Sequence, residues 1–142
     1  KKDIDIHSVG GLLYNDNHEV LIQYHNKYDF WTIPMGKVEN NMDIVEALKK
    51  ELKEELNIEV VEFKEIASRV YQYDNINSSD WTFEDSGKTF VVLFHLFEIS
   101  KWSGCLKNNE PKKHSVLRFM NLDEIKKLNP ISDALKLYLE VK

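Results

Sequence analysis

Cysteine is nearly absent from this chain of 142 residues, in which Cys105 stands alone. A single thiol excludes an internal disulfide and fits a reducing compartment. It also leaves little basis for thiol chemistry, since a free cysteine is more often a small packing group than a nucleophile. Apolar runs of membrane-spanning length are missing as well. The opening Lys1-Lys2-Asp3-Ile4-Asp5 lacks the apolar stretch of a secretory leader, so the expectation is a cytoplasmic protein with no membrane partner. Positive charge is in deficit: 19 Lys and Arg against 24 Asp and Glu leave a net −5. That balance argues against non-specific nucleic-acid binding, which needs clustered cations to displace counterions. Phosphate binding stays open wherever a metal ion bridges the two. Internal repeats and low-complexity tracts are also lacking. What remains is 42% apolar and 30% charged, the balance of an ordinary globular chain, and its length suits one domain spanning 1–142.

The chain divides into short elements by its turn chemistry. Ile6 to Tyr14 reads as a strand, Asn15-Asp16-Asn17 as a turn, and Glu19 to His25 as the second strand of a hairpin. A polar and aromatic loop leads to Trp31-Thr32-Ile33 and the break at Pro34. Asp43 suits a helix N-cap, and Ile44, Leu48, Leu52 and Leu56 recur along one helical face. Ile58 to Tyr73 reads as one or two strands, and Asp74 to Gly87 as a long polar loop. Lys88 to Ile99 reads as a buried strand, Ser100 to Ser115 as a second loop, and Val116 to Met120 as a short strand. Helices are expected over Leu122 to Leu128 and, with Ser132 or Asp133 near the cap, over Ile131 to Val141. Strands mixed with two or three helices point to an α/β domain with a mixed sheet.

The helix carries the chemistry. Glu51, Glu54 and Glu55 crowd three carboxylates onto one patch, and like charges at that spacing repel. At about 100° per residue, Glu51 and Glu55 fall on the side of Ile44 and Leu48, with Glu54 flanking them on the polar side. A carboxylate at the margin of an apolar stripe is costly unless paired or metal-bound. Clustered oxygens suit Mg²⁺, which takes a few carboxylates and completes its shell with water and phosphate. The alternative is a solvated Lys/Glu helix steadied by pairs such as Glu46 with Lys50.

The run Gly36, five residues, Met42, seven residues, Lys50-Glu51-Leu52-Lys53-Glu54-Glu55-Leu56-Asn57-Ile58 resembles the box of the Nudix family (residues 36–58), whose spacing it keeps throughout. The approach Phe30-Trp31-Thr32-Ile33-Pro34-Met35-Gly36-Lys37-Val38-Glu39 is similar to the family's too. Three positions depart from the pattern. Asn57 stands for Gly after the helix, where Asn is the ordinary left-handed substitute. Lys50 stands for Arg and loses the bidentate fork. Met42 stands for the first Glu, so the shell supporting the metal ligands is rewired while the trio itself is complete. The resemblance implies a Nudix fold, an α/β/α sandwich, and hydrolysis of a nucleoside diphosphate linked to a group X into NMP and phosphorylated X. It implies that Glu51, Glu54, Glu55 and the Gly36 carbonyl hold Mg²⁺, with Mn²⁺ as a possible substitute, and that Glu54 or Glu51 activates water.

Asn108-Asn109-Glu110-Pro111-Lys112-Lys113-His114 resembles the N-x-E-P-x-K segment of a MutT-like subgroup of nucleoside triphosphate pyrophosphohydrolases. There Glu110 would add a metal contact and Lys113 a phosphate contact; a charged surface turn is the plainer alternative. Lys37 is a further candidate for substrate, and Trp31, Phe30, Tyr28, Trp81 and Phe83 are candidates for stacking on a base. Glu84, Asp85 and Glu98 are further candidates for a fourth carboxylate, whereas His25, His95 and His114 show no metal-ligand spacing. The expected partner is a small nucleotide, and the expected assembly a monomer or homodimer. Two other readings keep the box: cleavage of ADP-ribose, nucleotide sugars or dinucleoside polyphosphates, and a nucleotide-binding module weakened in catalysis by Met42 and Lys50.

Overall fold

A computed structural model describes residues 3–74 and 89–142. Ten elements follow one another: β1 (Ile6–Leu13), β2 (Val20–His25), β3 (Phe30–Thr32), β4 (Met35–Lys37), α1 (Ile44–Leu56), β5 (Ile58–Asp74), β6 (Thr89–Gly104), β7 (His114–Met120), α2 (Leu122–Lys126) and α3 (Asp133–Val141). Among the described residues they form two sheets, a four-stranded mixed one in the order β4-β1-β6-β5 and a three-stranded antiparallel one in the order β3-β2-β7.

The two sheets correct the expected hairpin. The turn after β1 does form: Asn15 Oδ1 accepts from the amides of Asn17 and Glu19 at 3.0 and 2.9 Å. A single bridge, Tyr14 to Val20, follows it, and then the strands part into different sheets. The reason lies in β1, both of whose edges are taken. It pairs in parallel with β6, from Ile6 opposite Val92 to Leu13 opposite Ile99. On its other edge it pairs antiparallel with β4, Val9 facing Gly36. Strand β4 itself was hidden in sequence, because Pro34 precedes it and it is only three residues long.

Residues of β1 alternate between two cores, as the pleat requires. Val9 and Leu13 pack with Leu48, Leu52 and Leu56 of α1, whereas Leu12 packs with Ile125 of α2 and Leu135 of α3. The helices therefore lie on opposite faces of the strands, the expected α/β/α layering. Strand β6 runs five residues past Ile99, into the segment read as loop, because Trp102, Ser103 and Gly104 pair with Val60, Glu59 and Ile58 of β5. Its Trp102 Nε1 also donates to the Tyr14 carbonyl at 3.0 Å. The run Ser100-Lys101-Trp102-Ser103-Gly104 is polar but for Trp102 and does not alternate, so it gave no sign of that extension. No described helix is long and apolar enough to cross a membrane.

Candidate metal and nucleotide site

Helix α1 forms where its apolar repeat and cap predict. Asp43 accepts from the amides of Val45 and Glu46 at 3.1 and 3.4 Å, satisfying orphan donors of the first turn. At the other end Asn57 takes the left-handed conformation, φ 61° and ψ 37°, expected of a Gly substitute. Leu48, Leu52 and Leu56 bury one face, and their neighbour Glu55 goes under with them, only 2% exposed. Glu51 is half-buried and Glu54 exposed, the arrangement the helical wheel implied.

The segment after β6 is tied to the end of that helix. The amide of Lys107 donates to the Leu56 carbonyl and that of Asn109 to the Glu55 carbonyl, both at 2.9 Å. The Asn109 side chain donates to the Glu54 carbonyl at 3.1 Å. These bonds satisfy carbonyls that every helix end leaves open. A tight turn follows, in which the Glu110 carbonyl accepts from the amides of Lys113 and His114 at 3.0 and 2.9 Å. It swings Glu110, Lys113 and His114 toward the carboxylates of α1. One ligating atom from each of Glu55, Glu110 and His114 lies within 4.8 Å of the other two.

A cavity of about 820 Å³ opens beside this cluster, within the range typical of small-molecule sites. Among the expected site residues, Gly36, Lys37, Glu51, Glu54, Phe30 and Lys113 line it. Glu55 and Glu110 are not part of its lining; Glu55 lies beneath the surface beside Glu51. Tyr28 also lines the cavity. Trp31 does not: its ring packs edge-on against Tyr24 at 5.1 Å and its backbone bonds to Pro130 and Ser132. Glu98 is likewise elsewhere, accepting from Tyr14 and Lys142 at 3.2 and 3.4 Å. Trp81, Phe83, Glu84 and Asp85 lie outside the described residues. Tyr71, Tyr73, Phe90 and Phe94 also line the cavity. There Tyr73 donates to the Asp133 carboxylate at 2.7 Å.

Burial governs the electrostatics. It raises the Glu51 carboxyl to about 7; nearby Lys113 opposes the shift, while Glu54 and Glu110 add to it. Glu55 rises further, to about 8, first through burial and then through the charge of Glu51. The His114 imidazole is pushed down to about 4 by burial, with His25 and Lys113 contributing, so it is neutral at physiological pH. Two residues here escaped the sequence reading. His114 is 4% exposed and places Nδ1 4.0 Å from Glu55 Oε1. Gln23, 1% exposed, directs Nε2 to His114 Nε2 at 2.9 Å and to Glu55 Oε1 at 3.4 Å. A signal for Gln23 existed, since a lone amide in the run Val20-Leu21-Ile22-Gln23 is conspicuous. His95, by contrast, is the satisfied interior histidine expected of it, bonded to Glu65 at 2.9 Å.

Comparison with known proteins agrees with the geometry. An 8-oxo-dGTP diphosphatase from Buchnera aphidicola subsp. Schizaphis graminum is 26% identical over 101 residues, 71% of this chain and 63% of that protein. The chain thus spans less than two thirds of the length of this relative. Among solved structures, a MutT NUDIX hydrolase from Burkholderia pseudomallei superposes with a TM-score of 0.72 at 19% identity, covering 95% of each chain. The E. coli ORF135 protein superposes at 0.69 with 23% identity, covering 96% of this chain and 89% of that one. At such identities the likeness is one of fold. The sequence profile of the NUDIX domain, however, matches residues 6–139, nearly the whole chain. With the box spacing from Gly36 to Ile58 and the carboxylate-lined cavity, that match establishes that the chain belongs to the Nudix family.

Proposed function

We propose that this protein is a divalent-metal-dependent pyrophosphohydrolase that converts a nucleoside triphosphate into NMP and pyrophosphate, working as one domain. The observation that carries this reading is convergence: the α1 trio Glu51, Glu54 and Glu55 meets Glu110 and Lys113, from a turn some fifty residues away, at one end of a nucleotide-sized cavity. Kinship to an 8-oxo-dGTP diphosphatase supports a triphosphate over other diphosphate substrates.

The donor set fits a hard cation such as Mg²⁺, and Mn²⁺ would accept the same oxygens. Glu51 and Glu55 hold protons near neutral pH because burial opposes their ionisation, helped at Glu51 by the charges of Glu54 and Glu110 and at Glu55 by that of Glu51. A dication is the counter-charge such a pair lacks. Gly36 adds to the fit: a Cβ there would collide with the Glu51 carboxylate, so the backbone beside that group stays open. In this reading Glu51, Glu54, Glu55, Glu110 and the Gly36 carbonyl hold the metal. When bound, the ion supplies positive charge for phosphoryl oxygens and acidifies water. Lys113 and Lys37, both on the cavity wall, take phosphate oxygens. Glu54, exposed at the cavity and without the burial that weighs on its neighbours, takes the proton of the attacking water. The aromatic side chains of the wall, Phe30 among them, receive the base.

A panel of nucleotides incubated with Mg²⁺, scored separately for phosphate, pyrophosphate and monophosphate, tests the proposal. Triphosphates should release pyrophosphate, which ADP-ribose and dinucleoside polyphosphates do not. Glu55→Gln should stay folded and lose at least about 100-fold in kcat, the usual scale for removing an electrostatic contributor at the reacting centre. Undiminished turnover in that variant would sink the reading.

A further inference from the structure

We propose that His114 is itself a metal ligand, so that Glu55, Glu110 and His114 form a mixed nitrogen and oxygen site that prefers a first-row transition ion to Mg²⁺. The inference rests on reading the pocket as a metal centre and goes beyond it in donor set and metal class. Three observations meet here. One ligating atom from each of the three residues lies within 4.8 Å of the others, with His114 Nδ1 4.0 Å from Glu55 Oε1. Donors sharing one ion through bonds of about 2.1 Å stand roughly 3–3.5 Å apart, so small side-chain rotations close the set. The second observation is placement: the turn from Glu110 to His114 is pinned by two hydrogen bonds to one carbonyl, which holds both side chains against α1.

The third concerns Gln23. Its side chain is 1% exposed, and its Oε1 has no hydrogen-bond partner among the described residues. A buried amide oxygen left so is costly. Its Nε2 sits 2.9 Å from His114 Nε2. A metal-bound imidazole donates its second N–H to a carbonyl or carboxylate, which fixes ring orientation and tautomer. If His114 binds through Nδ1, its Nε2 carries the hydrogen and requires an acceptor at the place where the Gln23 amide lies. Turning that amide by 180° changes its shape hardly at all and presents Oε1 to the imidazole. The oxygen thereby gains the imidazole N–H as a partner, and the amide gives up its 3.4 Å contact with Glu55 Oε1. An imidazole among the donors favours Co²⁺, Ni²⁺ or Zn²⁺, whereas Mg²⁺ keeps to oxygen.

The test uses the full chain, stripped with a chelator and loaded with Co²⁺. Proton NMR of the wild type should show one hyperfine-shifted, exchangeable imidazole N–H, slow to exchange because the ring is buried. Calorimetry should find Co²⁺ bound more tightly than Mg²⁺. His114→Ala should remove the resonance and weaken Co²⁺ by at least about tenfold while leaving Mg²⁺ binding unchanged; Gln23→Leu should weaken Co²⁺ by a similar factor, the scale of second-layer partners. A wild type with no such resonance overturns the inference, as does a folded His114→Ala variant that weakens both metals alike. Should either variant fail to fold, the wild-type spectrum decides alone. Absence of turnover with every metal would instead overturn the pyrophosphohydrolase reading, and it would leave the resonance in place.

Discussion

At the scale of single residues, Gly36 shows how a backbone atom and a carboxylate are made to share space. It faces Val9 across the β1–β4 pairing, and a Cβ built on it would lie 2.7 Å from Glu51 Cγ and overlap the carboxylate beyond. Gly36→Ala therefore displaces Glu51 or the strand. The expected cost is about 1–3 kcal/mol in stability, as for other overpacked sites. With Glu51 holding the metal as proposed, turnover should fall by up to about 100-fold, since misplacing a group at the reacting centre by an ångström has that effect. Urea denaturation and kcat measure the two separately. A variant with lost stability and intact kcat would show that the position of Glu51 does not matter to the reaction. The neighbouring departures from the family pattern look milder from here: Lys50 and Met42 both line the cavity, and neither removes a carboxylate of the trio.

At the scale of elements, the end of α1 joins two segments distant in sequence. Asn57 caps the helix in the left-handed region, while Asn109 reaches back to the Glu54 carbonyl and positions Glu110. Their replacement by alanine should separate stability from metal binding. Asn57→Ala places a Cβ-bearing residue without a compensating side-chain bond at positive φ, a penalty of roughly 1–2 kcal/mol, and should leave Mg²⁺ affinity unchanged. Asn109→Ala removes one bond worth about 1 kcal/mol and should also weaken Mg²⁺ binding, because Glu110 loses its tether. Chemical denaturation alongside a metal titration checks both. Equal metal affinities in the two variants would show that the turn holds its place without Asn109.

At the scale of the whole molecule, the buried acids link stability to pH. Glu51 and Glu55 rise from 4.5 to about 7 and about 8 on folding, so the folded state binds protons more tightly than the unfolded chain. Their contribution is present at low pH and is lost as pH rises through the folded values. His114 falls from 6.5 to about 4, and its contribution is lost in the other direction, as pH drops from 6.5 toward 4. The two effects oppose each other below pH 6.5; above it only the acids act. Metal-free protein should thus lose stability between about pH 6.5 and 8, and Glu55→Gln should be more heat-stable than the wild type at pH 8. A domain of this size shifts its melting midpoint by about 2–4 °C per kcal/mol, which differential scanning fluorimetry in a chelator resolves. Excess Mg²⁺ should flatten or reverse the slope in the wild type. A rising slope without metal would mean that the carboxyls ionise freely in the fold.

Local patterns were enough to place most elements. Asp43, the four-residue apolar repeat and Asn57 define α1 without help from the rest of the chain, because capping and helical periodicity depend on neighbours in sequence. The position of Glu51, Glu54 and Glu55 on that helix follows from the same periodicity, and with it the family. What lay beyond the sequence depended on partners far along the chain. Strands β1 and β2 look like a hairpin until β6 and β4 occupy both edges of β1. The extension of β6 exists only because β5 pairs with it. Trp31 and Glu98 were plausible site residues by proximity in sequence, yet packing and ion pairing turned them away from the cavity. His114 and Gln23 had no recognisable spacing, and only the folding of β2 and β7 side by side, with Gln23 opposite Leu117, set them against Glu55. The sequence by itself determined the carboxylate trio, since its spacing arises within one helix. Tertiary structure alone decided which buried groups surround that trio, because burial and charge contact are properties of the assembled core.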